Sequence, residues 1–222
     1  MPDCVGCARV WENPEPCPFY GSTMLTPART PARKRASRGT LGKEDWIAAA
    51  TDLLIDGSVE AIRVESLAKR LRITTGSFYY HFKDRDDLLA QVLENWREWA
   101  TAQTIRQLQV GQADPRRVIE NMLELPFHGS SARRASMIEL SVRIWARQDE
   151  SVQRVVDAVD KQRLAYAQRC FMALGLTPSK ARGKAFATYS YLISQSMLWH
   201  VGDAAYKKKM REYMREVLLG DI

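Results

Sequence analysis

"RITTGSFYYHFKDRDDL", residues 72–88, sets Phe78, Tyr79, Tyr80, His81 and Phe82 in five consecutive positions, with Arg72 before them and Lys83 and Arg85 after. Rings in such a row cannot all enter one core. At about 100° per residue around a helix, Phe78 and Phe82 share one side and face inward. Gly76, Ser77 and Tyr80 fall on the opposite side, and Tyr79 and His81 project from the flanks. A helix over residues 75–82 therefore has an apolar back and a front of hydroxyls, phenols and an imidazole.

Just upstream, Val64, Leu67, Ala68 and Leu71 repeat at helical spacing, with Ser66, Lys69 and Arg70 on the other face. A helix over 64–71, a turn at Arg72–Thr74 and a helix over 75–82 make a helix-turn-helix. In that motif the second helix enters the DNA major groove by its N-terminal end. Thr75, Gly76 and Ser77 are small enough for a close approach to base edges, and hydroxyls bond bases and phosphates alike. Tyr79 and His81 can donate to phosphates on the two groove walls, and Lys69, Arg70, Lys83 and Arg85 add positive charge around them.

The charge distribution agrees. The chain of 222 residues has a net charge of +7, which alone only suggests a polyanionic partner. Residues 39–62 hold Glu44, Asp45, Asp52, Asp56 and Glu60 against Lys43, whereas between Ser66 and Arg85 Asp84 is the only acid. The positive charge is local to the motif.

The stretch "IAAATDLLIDGSVEAIRVESLAKRLRITTGSFYYHFKDRDDLL" resembles the N-terminal domain of tetracycline-repressor-type (TetR family) regulators. The matching positions are Ile47, Ala50, Leu54 and Gly57, then Leu67-Ala68, then Ile73-Thr74-x-Gly76-x-Phe78-Tyr79-x-His81-Phe82 and Leu88. The resemblance covers about residues 43–90. It implies that Thr75, Gly76, Ser77 and Tyr80 face bases, and that Thr74, Tyr79, His81 and Arg85 face phosphates. The sequence departs from the family at the turn, where Arg72 stands in the usual place of glycine; this points to an altered turn or to a further DNA contact.

The rest of the chain reads as all-α. A first helix carries Trp46, Ala49, Ala50, Leu53 and Leu54 on one face, with Gly57 placed to end it in a left-handed conformation. A long helix runs from about Arg85 to Leu108 with Leu89, Val92, Leu93, Trp96 and Ala100 as its stripe. Further helices fit 115–125, 131–147, 150–174, 178–201 and 204–219. Thr177-Pro178 reads as an N-cap followed by proline at the first helical position. Three regions follow: a disordered basic tail over 1–38, a DNA-binding domain over 39–88 and a helical ligand-binding and dimerisation domain over 89–222. The tail's "ARTPARKRASRG" is suited to lying along phosphates.

On the resemblance, the helices at 178–201 and 204–219 pair with those of a second copy, and their apolar content calls for a partner surface. A small-molecule effector pocket is likewise implied, with Met122, Phe127, His128, Met137, Trp145, Tyr166, Phe171 and Met172 as its candidate lining. Cys4, Cys7 and Cys17 lack a fourth ligand at zinc spacing, so no metal is expected. No cofactor is expected either, and neither a membrane span nor a secretory signal is visible, so the expected location is cytoplasmic. No phosphate-binding glycine loop, H-E-x-x-H or nucleophile elbow points to an enzyme. The reading is a dimeric, ligand-responsive repressor of a palindromic double-stranded DNA operator. The alternative is a non-specific DNA-binding or adaptor protein that uses the basic arm.

Overall fold

The computed structural model describes residues 41–109, 114–127 and 129–222. The basic arm, Cys4, Cys7, Cys17 and His128 lie outside them. The described residues contain helices and turns and no strand. The first helices are α1 (Lys43–Asp56), α2 (Val64–Leu71), α3 (Phe78–His81) and α4 (Arg85–Glu98). A π-helical turn, Trp99–Gln103, leads from α4 into α5 (Thr104–Gln109) without a break. Then come α6 (Pro115–Glu124), α7 (Gly129–Ala146), α8 (Glu150–Ala173), α9 (Pro178–Met197) and α10 (Ala204–Leu219). No helix among the described residues is long and apolar enough to cross a membrane.

Local chemistry sets the helix ends. Gly42 donates its N–H to the Asp45 carboxylate (2.8 Å), and Asp84, Asp149 and Asp203 accept N–H groups of the first turns of α4, α8 and α10. Pro178 opens α9 after Thr177, and Gly175 takes the positive φ of +91° that closes the chain after α8. Gly57 also ends α1, but with φ −147° and ψ −108° rather than the left-handed conformation expected. The left-handed residue is Arg72, at φ 60° and ψ 41°. Its N–H and that of Ile73 close α2 on the carbonyls of Lys69 and Ala68.

Two cores hold the chain. The first joins Trp46, Leu54, Leu67, Phe78, Phe82, Leu88, Val92 and Trp96 to Ile138, Val142 and Trp145 of α7 and to Val152, Val156 and Val159 of α8. The helices α1 to α4 thus share their core with α7 and α8. The second core gathers Leu108, Ile119, Met122, Tyr166, Phe171, Ala185 and Leu218, from α5, α6, α8, α9 and α10.

Candidate nucleic-acid interface

Phe78 and Phe82 are 0% and 2% exposed, whereas Tyr79 and Tyr80 are 63% and 87% exposed. The Phe78 ring stacks on Phe82 at 5.2 Å and meets Trp46 edge-on at 5.3 Å, so α3 is anchored from behind by aromatic contacts with itself and α1. The element is tighter than the single helix expected over 75–82. Thr75–Ser77 form a 3-10 turn, and α3 proper begins at Phe78. Thr74, Thr75 and Gly76 are exposed, Ser77 and His81 are half-exposed, and Lys83 is exposed. These residues and the two tyrosines form one outward surface with phenols, hydroxyls and small residues together. Arg72 is exposed immediately ahead of it.

Two cations attributed to this surface, Arg85 and Arg70, have partners inside the chain, and so does Lys43. Arg85 donates from Nε to the Ile62 carbonyl and from Nη2 to the Val59 carbonyl, each at 2.6 Å. It ties the start of α4 to the turn between α1 and α2, beside the outward surface. Arg70 pairs with Asp52 at 3.1 Å and with Asp56 at 3.3 Å, which fixes α2 on α1. The other oxygen of Asp52 accepts from Arg134 of α7. Lys43 lies 5.3 Å over the Phe82 ring. Sequence pattern shows such residues as surface charge, because their acceptors are carbonyls and carboxylates distant along the chain.

Residues 47–92 match the sequence model of a family described as bacterial regulatory proteins, tetR family. Over these residues the chain is similar to the tetR family. The chain has the fold of several solved regulators. One is a transcriptional regulator from Rhodococcus sp., 15% identical over 82% of this chain and 97% of that one, with a TM-score of 0.63. A second is a transcriptional regulator (TerR/AcrR family) from Aquifex aeolicus VF5, 17% identical over 81% and 99%, with a TM-score of 0.60. A third is the regulator FadR from Bacillus subtilis in complex with stearoyl-CoA, 16% identical over 80% and 98%, with a TM-score of 0.58. No curated protein sequence matches the chain.

The residues expected to line an effector pocket do not all meet. Met122, Tyr166 and Phe171 are buried in the second core, with Phe127 packed against it. The Arg211 guanidinium lies 4.8 Å over the Phe127 ring and pairs with Glu124 at 3.1 Å. Trp145 belongs to the first core instead, and Met137 and Met172 are exposed. The buried apolar residues of α7, Ile138, Val142, Trp145 and Ala146, all belong to the first core.

Sequence reading missed a buried ionic cluster between α7, α8 and α9. Glu139 of α7 is 6% exposed and pairs with Arg143 (2.7 Å) and with Arg163 of α8 (3.2 Å). Arg143 forks onto Asp160 at 2.6 and 3.0 Å. The Tyr189 hydroxyl of α9 donates to Asp160 at 2.5 Å and accepts from Arg143 at 2.9 Å. Burial alone would raise the Glu139 carboxyl, but the charges of Arg163 and Arg143 overcome it and hold it below its usual range. Burial pushes the Tyr189 phenol up to about 12. The signal in the sequence is the i, i+4 pair Glu139–Arg143 alone, which elsewhere is an ordinary solvated pair.

Proposed function

We propose that this protein is a tetR-family transcriptional repressor that binds a two-fold symmetric DNA operator as a homodimer and releases it on binding a small molecule. The observation that carries the DNA half is the split of one short helix into two buried phenylalanines and two exposed tyrosines. Large exposed rings beside small hydroxyl residues are poor packing and good groove chemistry. Thr75, Gly76, Ser77 and Tyr80 read base edges, and Thr74, Tyr79, His81 and Lys83 hold phosphates. Arg85 acts mainly by fixing α4 against the preceding turn, which leaves part of its guanidinium for a phosphate.

The dimer is supported by apolar side chains left in solvent on α9 and α10. Phe186 is 65% exposed, and Met197, Tyr206, Tyr213 and Val217 stand exposed with it. Tyr206, Tyr213 and Val217 lie at i, i+7 and i+11, one face of α10. One reading head contacts few base pairs, and two related by a two-fold axis contact a matching inverted repeat. The effector half is supported by the Bacillus subtilis neighbour, seen with stearoyl-CoA. Met122, Phe127, Tyr166 and Phe171, which share one core, are the candidates to touch an effector.

Selection of duplexes from a random pool, followed by sedimentation of the complex, tests the reading. The expected result is an inverted repeat bound by two chains. Binding of all duplexes alike would favour the non-specific alternative and overturn this one.

A further inference from the structure

Residues 85–109 form one continuous helix with a foot in each core. Leu88, Leu89, Val92, Trp96 and Ala100 enter the first core, and Leu108 enters the second. The π turn Trp99–Gln103 lies between them. Such a turn acts as a one-residue insertion in an α-helix. Eight regular steps from Ala100 to Leu108 would leave those two side chains about 80° apart around the axis. Absorbing one residue in the wide turn brings them to within about 20°. The π turn therefore lets a single helix serve both cores.

The turn is held by contacts from outside its own ladder. Thr101 and Thr104 donate their hydroxyls to the carbonyls of Arg97 and Trp99, each at 2.7 Å. Arg163 of α8 donates Nε to the Ala100 carbonyl at 2.8 Å. The same guanidinium holds both oxygens of Glu139 at 3.2–3.3 Å, and Glu139 accepts the Trp96 indole N–H at 3.3 Å. Two points of the connecting helix, one turn apart, are thus fastened to one buried ion pair between α7 and α8. A buried ion pair adds little net stability over well-packed apolar groups, so its use is better sought in fixing geometry.

We propose that Arg163 is a positioning residue for DNA binding: it holds the π turn open and thereby sets the angle of the reading domain, with the first core that it shares with α7 and α8, against the second core. When Arg163 lets go of Ala100, the turn relaxes towards the regular α form, and the reading domain rotates. Any ligand that shifts α8 against α7 gains this lever. The DNA consequences rest on the repressor reading; the geometry does not.

The test uses the full chain with spin labels on unnatural amino acids at Glu65 and Lys161, both exposed. Arg163→Lys keeps a charge for Glu139 but lacks the fork that reaches Ala100 as well. The wild type is expected to give one narrow label distance, and Arg163→Lys a shifted or clearly broadened one. Deletion of Gln103 removes the inserted residue and leaves a regular helix in phase with both cores. In that background Arg163→Lys is expected to leave the distance where the deletion alone puts it. On duplexes selected by the wild type, Arg163→Lys should bind about tenfold more weakly, within the usual range of coupling energies. Should Arg163→Lys not fold, Arg163→Gln with Glu139→Gln, which leaves no unpaired charge, is read the same way. An unchanged distance in Arg163→Lys, an equal shift in both backgrounds, or an unfolded deletion variant by circular dichroism overturns the proposal. A wild type that binds no duplex selectively defeats the repressor reading and leaves the distance comparison standing.

Discussion

At α3 two phenol rings stand in solvent, while at the junction of α7, α8 and α9 two arginines and two carboxylates are packed away from most of it. Each place reverses the ordinary partition of apolar groups inward and charges outward. The outward side of α3 holds exposed rings because Phe78 and Phe82 take the anchoring role from behind. The ionic cluster holds sheltered charges because every one has a partner of opposite sign. The first arrangement suits contact with another molecule, and the second suits holding the chain's own helices at fixed positions.

Substitutions at the two places should separate these roles. The largest effects are expected on stability. Phe78→Ala removes a fully buried ring and should destabilise by about 3–5 kcal/mol, read as a fall in Tm. Glu139→Ala leaves Arg163 and Arg143 facing each other without their shared carboxylate and should cost a similar 3–5 kcal/mol or so. If either changes Tm by no more than a surface substitution does, the contrast fails at that place. Tyr80→Ala should leave Tm nearly unchanged and weaken binding to a selected duplex by about 1–3 kcal/mol in an anisotropy titration. Loss of Tm with full DNA affinity would reverse the assignment.

A pH series sharpens the interior half. The Glu139 carboxyl is held below its ordinary value of 4.5 in the folded chain, so the unfolded chain takes up its proton first as pH falls. The stabilisation is full above about pH 4.5 and drains away as pH drops through the folded value. Asp160 acts in the same direction: burial would raise it, and its bond from Arg143 more than compensates. Glu139→Gln should flatten the acid limb of the stability curve measured by denaturant titration. An acid limb as steep as the wild type's would place the titrating groups elsewhere.

The smallest expected effect is at the turn. Arg72 holds φ 60°, a conformation that an L residue with a side chain adopts at a cost of roughly 1–2 kcal/mol. Arg72→Gly should gain up to about 1 kcal/mol, since glycine's own flexibility in the unfolded chain offsets part of the relief. Denaturant unfolding reads the gain. A loss would mean that the arginine side chain contributes more than its backbone strain takes away.

The split of α3 into a buried and an exposed side was legible in the sequence for a local reason. Phe78 and Phe82 are one turn apart, and the residues between them are polar, so a single helix wheel sorts them. The helix start at Thr177-Pro178 was legible through turn chemistry in the same way. The conformation of Arg72 was legible only as a missing glycine. The ionic cluster was hidden because Glu139 and Arg163 are 24 residues apart and each alone looks like a solvated charge. The π turn leaves no compositional mark in "WATAQ"; its trace is a slip of phase between Ala100 and Leu108. Arg70 and Arg85 were seen as cations but not as bonded ones, since their acceptors lie 14 to 26 residues away.

The account depends most on the outward surface of α3 being the surface that meets DNA. Salt-dependent binding of a selected duplex by wild type and by Tyr79→Ala with His81→Ala tests this most directly. Removing two phosphate donors should weaken binding to every duplex alike, with Tm unchanged. Equal affinity of the two proteins across the salt range would contradict the account.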